Sequence, residues 1–279
     1  MRITGATRVA AVIGSPVRHS LSPALHNAAF EALGVDWRYV AFDVAPGGAL
    51  DALHAMRALG IVGFSVTMPH KEAVADHIDV LDPAARALHS VNTVVADADG
   101  RLHGYSTDGA GFVDSLVAAG VDPAGLRVGV LGAGAAGRCV LDALARAGAS
   151  EIIVVNRSVD KAAAAASLAA TVSRVGVEAD LVDCDLVVNA TSIGLGSSEL
   201  PCTATMLRAG HVVADLVYHP LRTAFLTTAE RVGARTIDGL GMLVHQAVLQ
   251  QELWLGVRPD PAVMRAAAVQ ELAARSQVV

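Results

Sequence analysis

The chain has 279 residues, enough for one large domain or two of ordinary size, and about half of the residues are apolar while few are aromatic. Its formal net charge of −6 and its lack of basic runs argue against a nucleic-acid partner, and no apolar run approaches the ~20 residues of a membrane span. Three scattered cysteines without metal-ligand or disulfide spacing, and no signal-peptide pattern, lead us to expect a cytoplasmic protein without a metal.

Short apolar runs typical of buried strands alternate along the chain with alanine-rich stretches of helical pattern. We predict strands at residues 8–13, 37–43, 61–66, 91–96, 127–131, 151–155, 185–189, 211–215 and 234–237. This alternation predicts an α/β fold with largely parallel sheets. Turn-rich breaks lie at residues 120–125 and 238–241. We therefore expect an N-terminal α/β domain at 1–110, completed by C-terminal helices in 239–279 that pack back on it, and a second domain at 111–238.

The first predicted strand leads into a polar segment that contains Ser20, Ser22 and Pro23. Ser22 followed by Pro23 fits a helix N-cap with proline at the first helical position. Capping alone accounts for Ser22 but leaves Ser20 unexplained. Two hydroxyl groups at a helix start also suit a carboxylate, because the free N–H groups and the helix dipole favour an anion there.

The third predicted strand is followed by Thr67, Pro69 and Lys71. Pro69 is expected to begin a helix, which places Lys71 in the first turn, where the dipole disfavours a cation and would help the lysine to pass a proton. An ordinary surface lysine is the alternative. Further along, residues 91–93 open one strand, and the next ends just before Asp108. Asp108 is expected either to cap a helix starting at Gly109 or to pair with a lysine across a cleft.

Residues 127–137 place an apolar strand directly before the pattern G-x-G-x-x-G, with a helical stretch after it. Gly132 suits the tight turn, Gly134 would let a pyrophosphate approach the backbone, and Gly137 would let helix and strand pack closely. The free N–H groups of the helix start favour phosphate. This order of elements predicts a dinucleotide-binding Rossmann unit.

The next strand ends at Asn156, where an NAD site would normally place Asp or Glu for the ribose hydroxyls. Arg157 and Lys161 follow, and arginine suits a phosphate as a planar, bidentate donor. The segment therefore favours NADP over NAD. The alternative is that both cations are ordinary solvated charges.

Together these segments resemble the shikimate dehydrogenase family over nearly the whole chain. The resemblance rests on the glycine loop and on residues 20–23, 65–71, 91–93, 106–109, 156–158, 189–194, 215–218 and 238–246. It implies a substrate domain joined to a Rossmann-type NADP-binding domain. The implied activity is the reversible, NADP-dependent reduction of 3-dehydroshikimate to shikimate, a step of aromatic amino-acid biosynthesis, by a monomer or homodimer.

The resemblance also implies roles for individual residues. Lys71 and Asp108 would form an acid–base pair, in which Asp108 holds the lysine and Lys71 exchanges the proton with the substrate oxygen. The implied substrate contacts are Ser20, Ser22, Thr67, Asn92, Asp108, Tyr218 and Gln246. The implied cofactor contacts are Gly132, Ala133, Gly134, Ala135, Ala136, Asn156, Arg157, Ser158, Lys161, Thr191, Ser192, Ile193, Leu216 and Gly239. Of these, the resemblance implies that residues 191–193, Leu216 and Gly239 line the nicotinamide, the reactive end of the cofactor.

The chain departs from the family pattern at two positions. Many members carry asparagine where Ser65 and Ser106 stand, so both polar side chains are shorter here. Tyr105, which precedes Ser106, is similar to the residue at this position in members that accept quinate. Quinate or an amino analogue as substrate, with NAD as cofactor, is therefore an alternative. A non-catalytic NADP(H) sensor is another, and the presence of Lys71 and Asp108 argues against it.

Overall fold

In the described part of the chain, two six-stranded sheets are formed, one in each of two units. The computed structural model describes residues 2–276. The first unit combines the residues up to Thr107 with those from Gln246 onward, and the second runs from Asp108 to His245. Among the described residues, no helix is both long and apolar enough to cross a membrane.

The first unit alternates short strands and helices. In chain order they are β1 (Arg8–Gly14), α1 (Ser22–Ala32), β2 (Trp37–Asp43), α2 (Ala49–Leu59), β3 (Gly63–Val66), α3 (Lys71–His77), β4 (Val80–Leu81), α4 (Pro83–Leu88), β5 (Thr93–Ala96) and β6 (Leu102–Tyr105). The sheet order is β2-β1-β3-β5-β6-β4. Strand β5 runs antiparallel to both of its neighbours, whereas the other pairings are parallel. The prediction of largely parallel sheets is therefore confirmed, with β5 as the exception in this unit.

The second unit is a doubly wound α/β unit. Its elements are α5 (Asp108–Ala118), β7 (Arg127–Leu131), α6 (Ala135–Arg146), β8 (Glu151–Val155), α7 (Val159–Ala166), β9 (Ser173–Val175), β10 (Leu186–Asn189), β11 (Val212–Asp215), α8 (Ala224–Arg231) and β12 (Arg235–Ile237). All strands are parallel in the order β12-β11-β10-β7-β8-β9. This is the Rossmann order, and it places a topological switch point between β7 and β10.

Helix α9 (Leu240–Leu255) begins in the second unit and ends in the first, and α10 (Pro261–Ser276) packs against α1. The indole of Trp254 donates a hydrogen bond to the carbonyl of Val94 at 3.1 Å. A Cβ atom added to Gly63 would lie 2.2 Å from the Trp254 Nε1 atom, so a glycine in β3 lets the helix approach the sheet.

The cores follow from the alternation of side chains along each strand. In β1, Ala11 and Ile13 belong to one buried cluster, whereas Ala10 and Val12 belong to another. In β8, Ile152 and Val154 point to a different cluster from Ile153. Both sheets are therefore covered on two faces, as the continuous apolar runs predict.

Every predicted strand overlaps an observed one. The structure adds β4 and β9, and of β6 only the end was expected. Strand β4 has only two residues, β6 reads Leu-His-Gly-Tyr and β9 reads Ser-Arg-Val, so none of them contains an apolar run long enough to indicate a strand.

Candidate functional site

The glycine loop of the second unit joins β7 to α6. Gly132 has a φ of 106°, and an added Cβ would meet the backbone of Ala190 at 3.0 Å. A Cβ on Gly137 would lie 2.2 Å from the Gly132 carbonyl oxygen, so only glycine lets the helix close on the loop. Gly134 differs, because a Cβ there would meet nothing within 4 Å. The space over Gly134 is thus open to a bound group.

Asn156, one residue past β8, is hydrogen-bonded to the glycine loop. Its Oδ1 accepts from the backbone N–H of Ala133 at 3.2 Å, and its Nδ2 donates to the Ser158 carbonyl at 2.9 Å. Ser158 caps α7 by accepting from the backbone N–H of Lys161. Arg157 and Lys161 are exposed, which suits cations that would meet a phosphate.

A cleft of about 850 Å³ lies at the carboxyl ends of β7, β8 and β10, where the switch point predicts a ligand. The predicted cofactor residues that line it are Gly132, Ala133, Gly134, Asn156, Arg157, Ser158, Lys161, Thr191, Ser192 and Ile193. Ala135, Ala136, Leu216 and Gly239 are predicted contacts that are not among its lining residues. Gly239 instead fits against Leu216, whose carbonyl oxygen would lie 2.5 Å from an added Cβ.

The lining of this cleft also contains residues that the sequence analysis missed. Val177, Glu178 and Pro201 line it. The Glu178 carboxylate accepts hydrogen bonds from the backbone N–H and the hydroxyl of Thr203 at 3.0 and 2.7 Å, which holds the segment before Thr203 beside the cleft. Val177 and Glu178 lie just past the end of β9, so predicting that strand would have placed them at the cleft.

In the first unit, Ser20 and Ser22 meet at the start of α1, but not as expected. The helix begins at Ser22 with Leu21 as N-cap, so Ser22 is its first helical residue. The Ser20 hydroxyl accepts from the backbone N–H of Ser22 at 3.2 Å. The prediction that Ser22 caps the helix is therefore wrong, because the helix starts one residue earlier than a Ser22 cap requires, and the backbone N–H groups of Ala24 and Leu25 donate to the Leu21 carbonyl instead, at 3.0 and 3.2 Å. Arg275 of α10 donates to the carbonyls of His19 and Ser20 at 2.6 and 3.1 Å.

Thr67 and Lys71 lie at the carboxyl end of β3. Helix α3 begins at Lys71 rather than at Pro69, which follows a cis peptide bond and lies outside the helix. Lys71 is thus the first helical residue, in the first turn as predicted. Its carbonyl accepts from the backbone N–H of Val91 at 3.0 Å, which places it beside the segment that carries Asn92.

Asn92 is buried and held by Thr107. Its Nδ2 donates to the Thr107 hydroxyl at 2.9 Å, and its Oδ1 accepts from the Thr107 backbone N–H at 2.8 Å. The Thr107 hydroxyl also reaches the carbonyl of Gln246 at 3.4 Å. Asp108 follows in the chain and is the first residue of α5, so the helix starts one residue before the predicted Gly109. Tyr218, in the second unit, is half-buried just past β11.

Three family models cover most of the chain. Residues 12–94 match the shikimate dehydrogenase substrate binding domain, residues 117–197 match shikimate / quinate 5-dehydrogenase, and residues 239–269 match the shikimate 5'-dehydrogenase C-terminal domain. The shikimate dehydrogenase (NADP(+)) of Moorella thermoacetica is 44% identical, in an alignment that covers 95% of this chain and 93% of that protein. The chain belongs to the shikimate dehydrogenase family.

Solved structures agree with this membership. The shikimate 5-dehydrogenase of Thermus thermophilus, crystallised with NADP(H) and shikimate, has a TM-score of 0.90 at 38% identity and covers 95% of this chain and 99% of its own. The 5-ketofructose reductase of a Gluconobacter strain also has a TM-score of 0.90, at 36% identity over 96% of this chain and 99% of its own. The predicted family and fold are confirmed, and the second match shows the same architecture in an enzyme named for another substrate.

The family departure at Ser65 has a structural explanation. The Ser65 hydroxyl accepts from the Tyr39 hydroxyl at 2.5 Å and donates to Gln250 Oε1 at 2.6 Å, while Gln250 Nε2 donates to the Asn92 carbonyl at 3.3 Å. Burial raises the pKa of Tyr39, so its hydroxyl keeps its proton and remains a donor. The short serine is thus part of a buried chain of hydrogen bonds that ends at the Asn92 backbone. Sequence reasoning missed Tyr39 and Gln250.

Proposed function

We propose that this protein catalyses the reversible, NADP-dependent reduction of 3-dehydroshikimate to shikimate. One observation carries the proposal beyond family membership. Thr67, Lys71 and Asn92 lie together at strand ends of the first unit, while the second unit carries a nucleotide-sized cleft that ends in Asn156 rather than a carboxylate. A polar cluster for a hydroxylated acid and a cleft for NADP are the two parts that such a reaction needs.

The cleft residues fit NADP. The open space over Gly134 accepts a pyrophosphate, the free N–H groups of α6 favour its charge, and Arg157 and Lys161 would bind the 2′-phosphate. When bound, NADPH supplies the hydride, and the chain supplies binding, orientation and the proton.

The residues of the chain would divide the remaining work. Ser20 and Ser22 would bind the substrate carboxylate at the start of α1, while Asn92 and Thr67 would orient the ring hydroxyls. Lys71 would donate a proton to the substrate oxygen as negative charge develops there, and Asp108 would favour the charged form of the lysine. Help of this kind is worth on the order of 10²–10⁴ in rate. Tyr218 and Gln246 complete the proposed substrate contacts.

The Lys71→Ala variant tests the proposal. We expect kcat for 3-dehydroshikimate reduction to fall by on the order of 10²–10⁴ while shikimate still binds. Glu72→Ala, an exposed neighbour on the same helix, is the matched control and should keep wild-type turnover. Near-full turnover by Lys71→Ala would remove the proton-transfer role.

Ser106 favours one second candidate. This buried, shortened side chain precedes Thr107, so a bulkier or more hydroxylated ring acid such as quinate is an alternative substrate. Initial rates with shikimate, quinate and an amino analogue, each with NADP and NAD, decide the matter. A preference for quinate with NAD would overturn both parts of the proposal. Cytoplasmic location and a monomeric or homodimeric state stay predictions.

A further inference from the structure

A buried carboxylate of the second unit has no part in the chemistry described so far. Asp215, the last residue of β11, is 1% exposed, and it accepts three hydrogen bonds. The donors are Asn189 Nδ2 at 2.9 Å, the backbone N–H of Val217 at 3.0 Å and the Thr223 hydroxyl at 2.7 Å. Burial raises the pKa of Asp215, and these donors oppose that effect by favouring the charged form. Burial of a carboxylate costs free energy unless hydrogen-bond donors compensate, so Asp215 depends on all three of them.

The first donor, Asn189, controls the loop after β10. Its Oδ1 accepts from the backbone N–H and the hydroxyl of Thr191 at 3.1 and 2.7 Å, and its Nδ2 also donates to the Ile193 carbonyl at 3.0 Å. The Thr191 hydroxyl in turn accepts from the backbone N–H of Ile193 at 3.1 Å. The wall of the cofactor cleft formed by Thr191 and Ile193 is therefore shaped by one buried amide.

The second and third donors belong to the segment after β11. The Val217 N–H fixes the turn between Leu216 and Tyr218, and the backbone N–H of Leu216 donates to the Asn189 carbonyl at 3.0 Å. The Thr223 hydroxyl accepts from the backbone N–H of Leu226 at 3.2 Å, which makes it the N-cap of α8. Asp215 thus joins one loop of the cleft, the turn before Tyr218 and the start of a helix.

We propose that Asp215 is a positioning residue that couples the loop of residues 190–194 to the turn of residues 216–218. Both segments carry residues assigned above to the reactive end of the cofactor and to the substrate, so the coupling makes them one rigid wall. The importance of this wall for hydride transfer rests on the proposed function, whereas the coupling itself does not.

Amide hydrogen exchange tests the coupling without any ligand. In Asp215→Ala we expect the exchange rate to rise at least about ten-fold at the amide of Val217. The same rise is expected at the amides of Thr191 and Ile193, to which Asp215 makes no direct hydrogen bond. The reason is that the free energy of local opening falls by about the contribution of one charged hydrogen bond. A rise at Val217 alone overturns the proposal. Asp142→Ala is the matched control, since it removes another buried carboxylate of the same unit, paired with Arg146 on α6, and should leave both segments protected.

Two variants guard against a folding defect. Asp215→Asn should restore most of the protection, because its amide oxygen still accepts from Asn189 and Val217 while its NH₂ can donate to the Thr223 hydroxyl. Thr223→Val removes one donor and keeps the side-chain shape. It should raise exchange in both segments together by a smaller factor, and a rise confined to the first turn of α8 would contradict the coupling.

Ligand binding then separates positioning from a general structural role. In Asp215→Ala, kcat/KM with NADPH should fall on the order of ten- to hundred-fold, as expected for a small misplacement of the reacting groups, and the primary isotope effect with 4-deuterated NADPH should rise. The Kd of 2′,5′-ADP, which lacks the nicotinamide, should stay at the wild-type value. If the Kd of NADPH and the Kd of 2′,5′-ADP rise by the same factor, the positioning role is overturned. Absence of turnover in the wild type would instead refute the proposed function and leave the exchange result standing.

Discussion

Asn92 and Thr107 hold each other through two hydrogen bonds, from Asn92 Nδ2 to the Thr107 hydroxyl at 2.9 Å and from the Thr107 backbone N–H to Asn92 Oδ1 at 2.8 Å. Both ends of the buried amide are therefore engaged within the first unit. The contact fixes the residue that immediately precedes Asp108. Asn92 thus stabilises the fold of the first unit, in addition to making the substrate contact proposed for it.

The first prediction concerns Asn92→Ala. We expect it to lower the free energy of unfolding by about 1–3 kcal/mol, because it takes the acceptor from the buried backbone N–H of Thr107, and to lower kcat/KM as well. Chemical unfolding and steady-state rates measure the two effects. Thr93→Val is the control, since it removes a donor to Asn92 Oδ1 and a hydroxyl contact with Thr107 at 3.2 Å but keeps the two hydrogen bonds between Asn92 and Thr107, and it should cost less. An unchanged unfolding midpoint for Asn92→Ala would contradict the duty assigned to the amide.

The two later glycines of the loop should respond differently to alanine. Gly137→Ala puts a Cβ against the Gly132 carbonyl, so we expect a loss of both stability and NADPH affinity. Gly134→Ala meets no atom and has a φ of −78°, which alanine adopts freely. It should keep the wild-type melting temperature while NADPH binds more weakly, because the methyl group occupies the proposed pyrophosphate space. Wild-type NADPH affinity in Gly134→Ala would refute that placement.

The nucleotide half of the fold was predictable because its signals are local. The strand, the glycines and the helix of residues 127–146 adjoin in sequence, and Asn156 follows the next strand directly. The buried chain of hydrogen bonds through Ser65 was not predictable. Gln250, which accepts from Ser65, lies 185 residues away in sequence, and nothing in the sequence around a helical glutamine indicates this contact. The error at Ser22 is of the same kind. The backbone N–H groups that a Ser22 cap would bind donate to the Leu21 carbonyl instead, and only the path of the backbone decides this.

Cofactor preference gives the third prediction. Arg157→Ala should raise the Kd of NADPH about ten-fold and leave the Kd of NADH unchanged, because a charged hydrogen bond to the 2′-phosphate is lost. Arg174→Ala removes another exposed arginine of the same unit, paired with Glu151 and Asp180, and should change neither constant.

The complementary change is Asn156→Asp. It keeps an oxygen that can accept from the Ala133 N–H and adds a carboxylate that would repel the 2′-phosphate and bind ribose hydroxyls. The ratio of kcat/KM for NADPH to that for NADH should therefore fall. A ratio that stays at the wild-type value in this variant would show that Asn156 does not face the ribose.

The last prediction concerns acid stability and His26. This side chain is fully buried and stacks on Tyr39 with ring centroids 4.2 Å apart. Burial lowers the pKa of His26 from 6.5 to about 3. The imidazole of His26 is thus protonated below pH 6.5 in the unfolded chain, but only below about pH 3 in the folded chain. The free energy of unfolding should consequently fall as pH drops through this range, by about 2 kcal/mol at about pH 5 from this residue alone.

The variant His26→Phe keeps an aromatic ring and removes the titrating group. The difference in unfolding free energy between it and the wild type should therefore shift by about 2 kcal/mol in favour of the variant between about pH 7 and about pH 5, measured by urea unfolding. Tyr39→Phe keeps both the stacked ring and His26, so its curve should retain the wild-type dependence on pH. Parallel curves for the wild type and His26→Phe would mean that His26 takes up its proton while still folded. The buried contact with Gln251, whose Nε2 lies 3.1 Å from His26 Nδ1, would then have to open in acid.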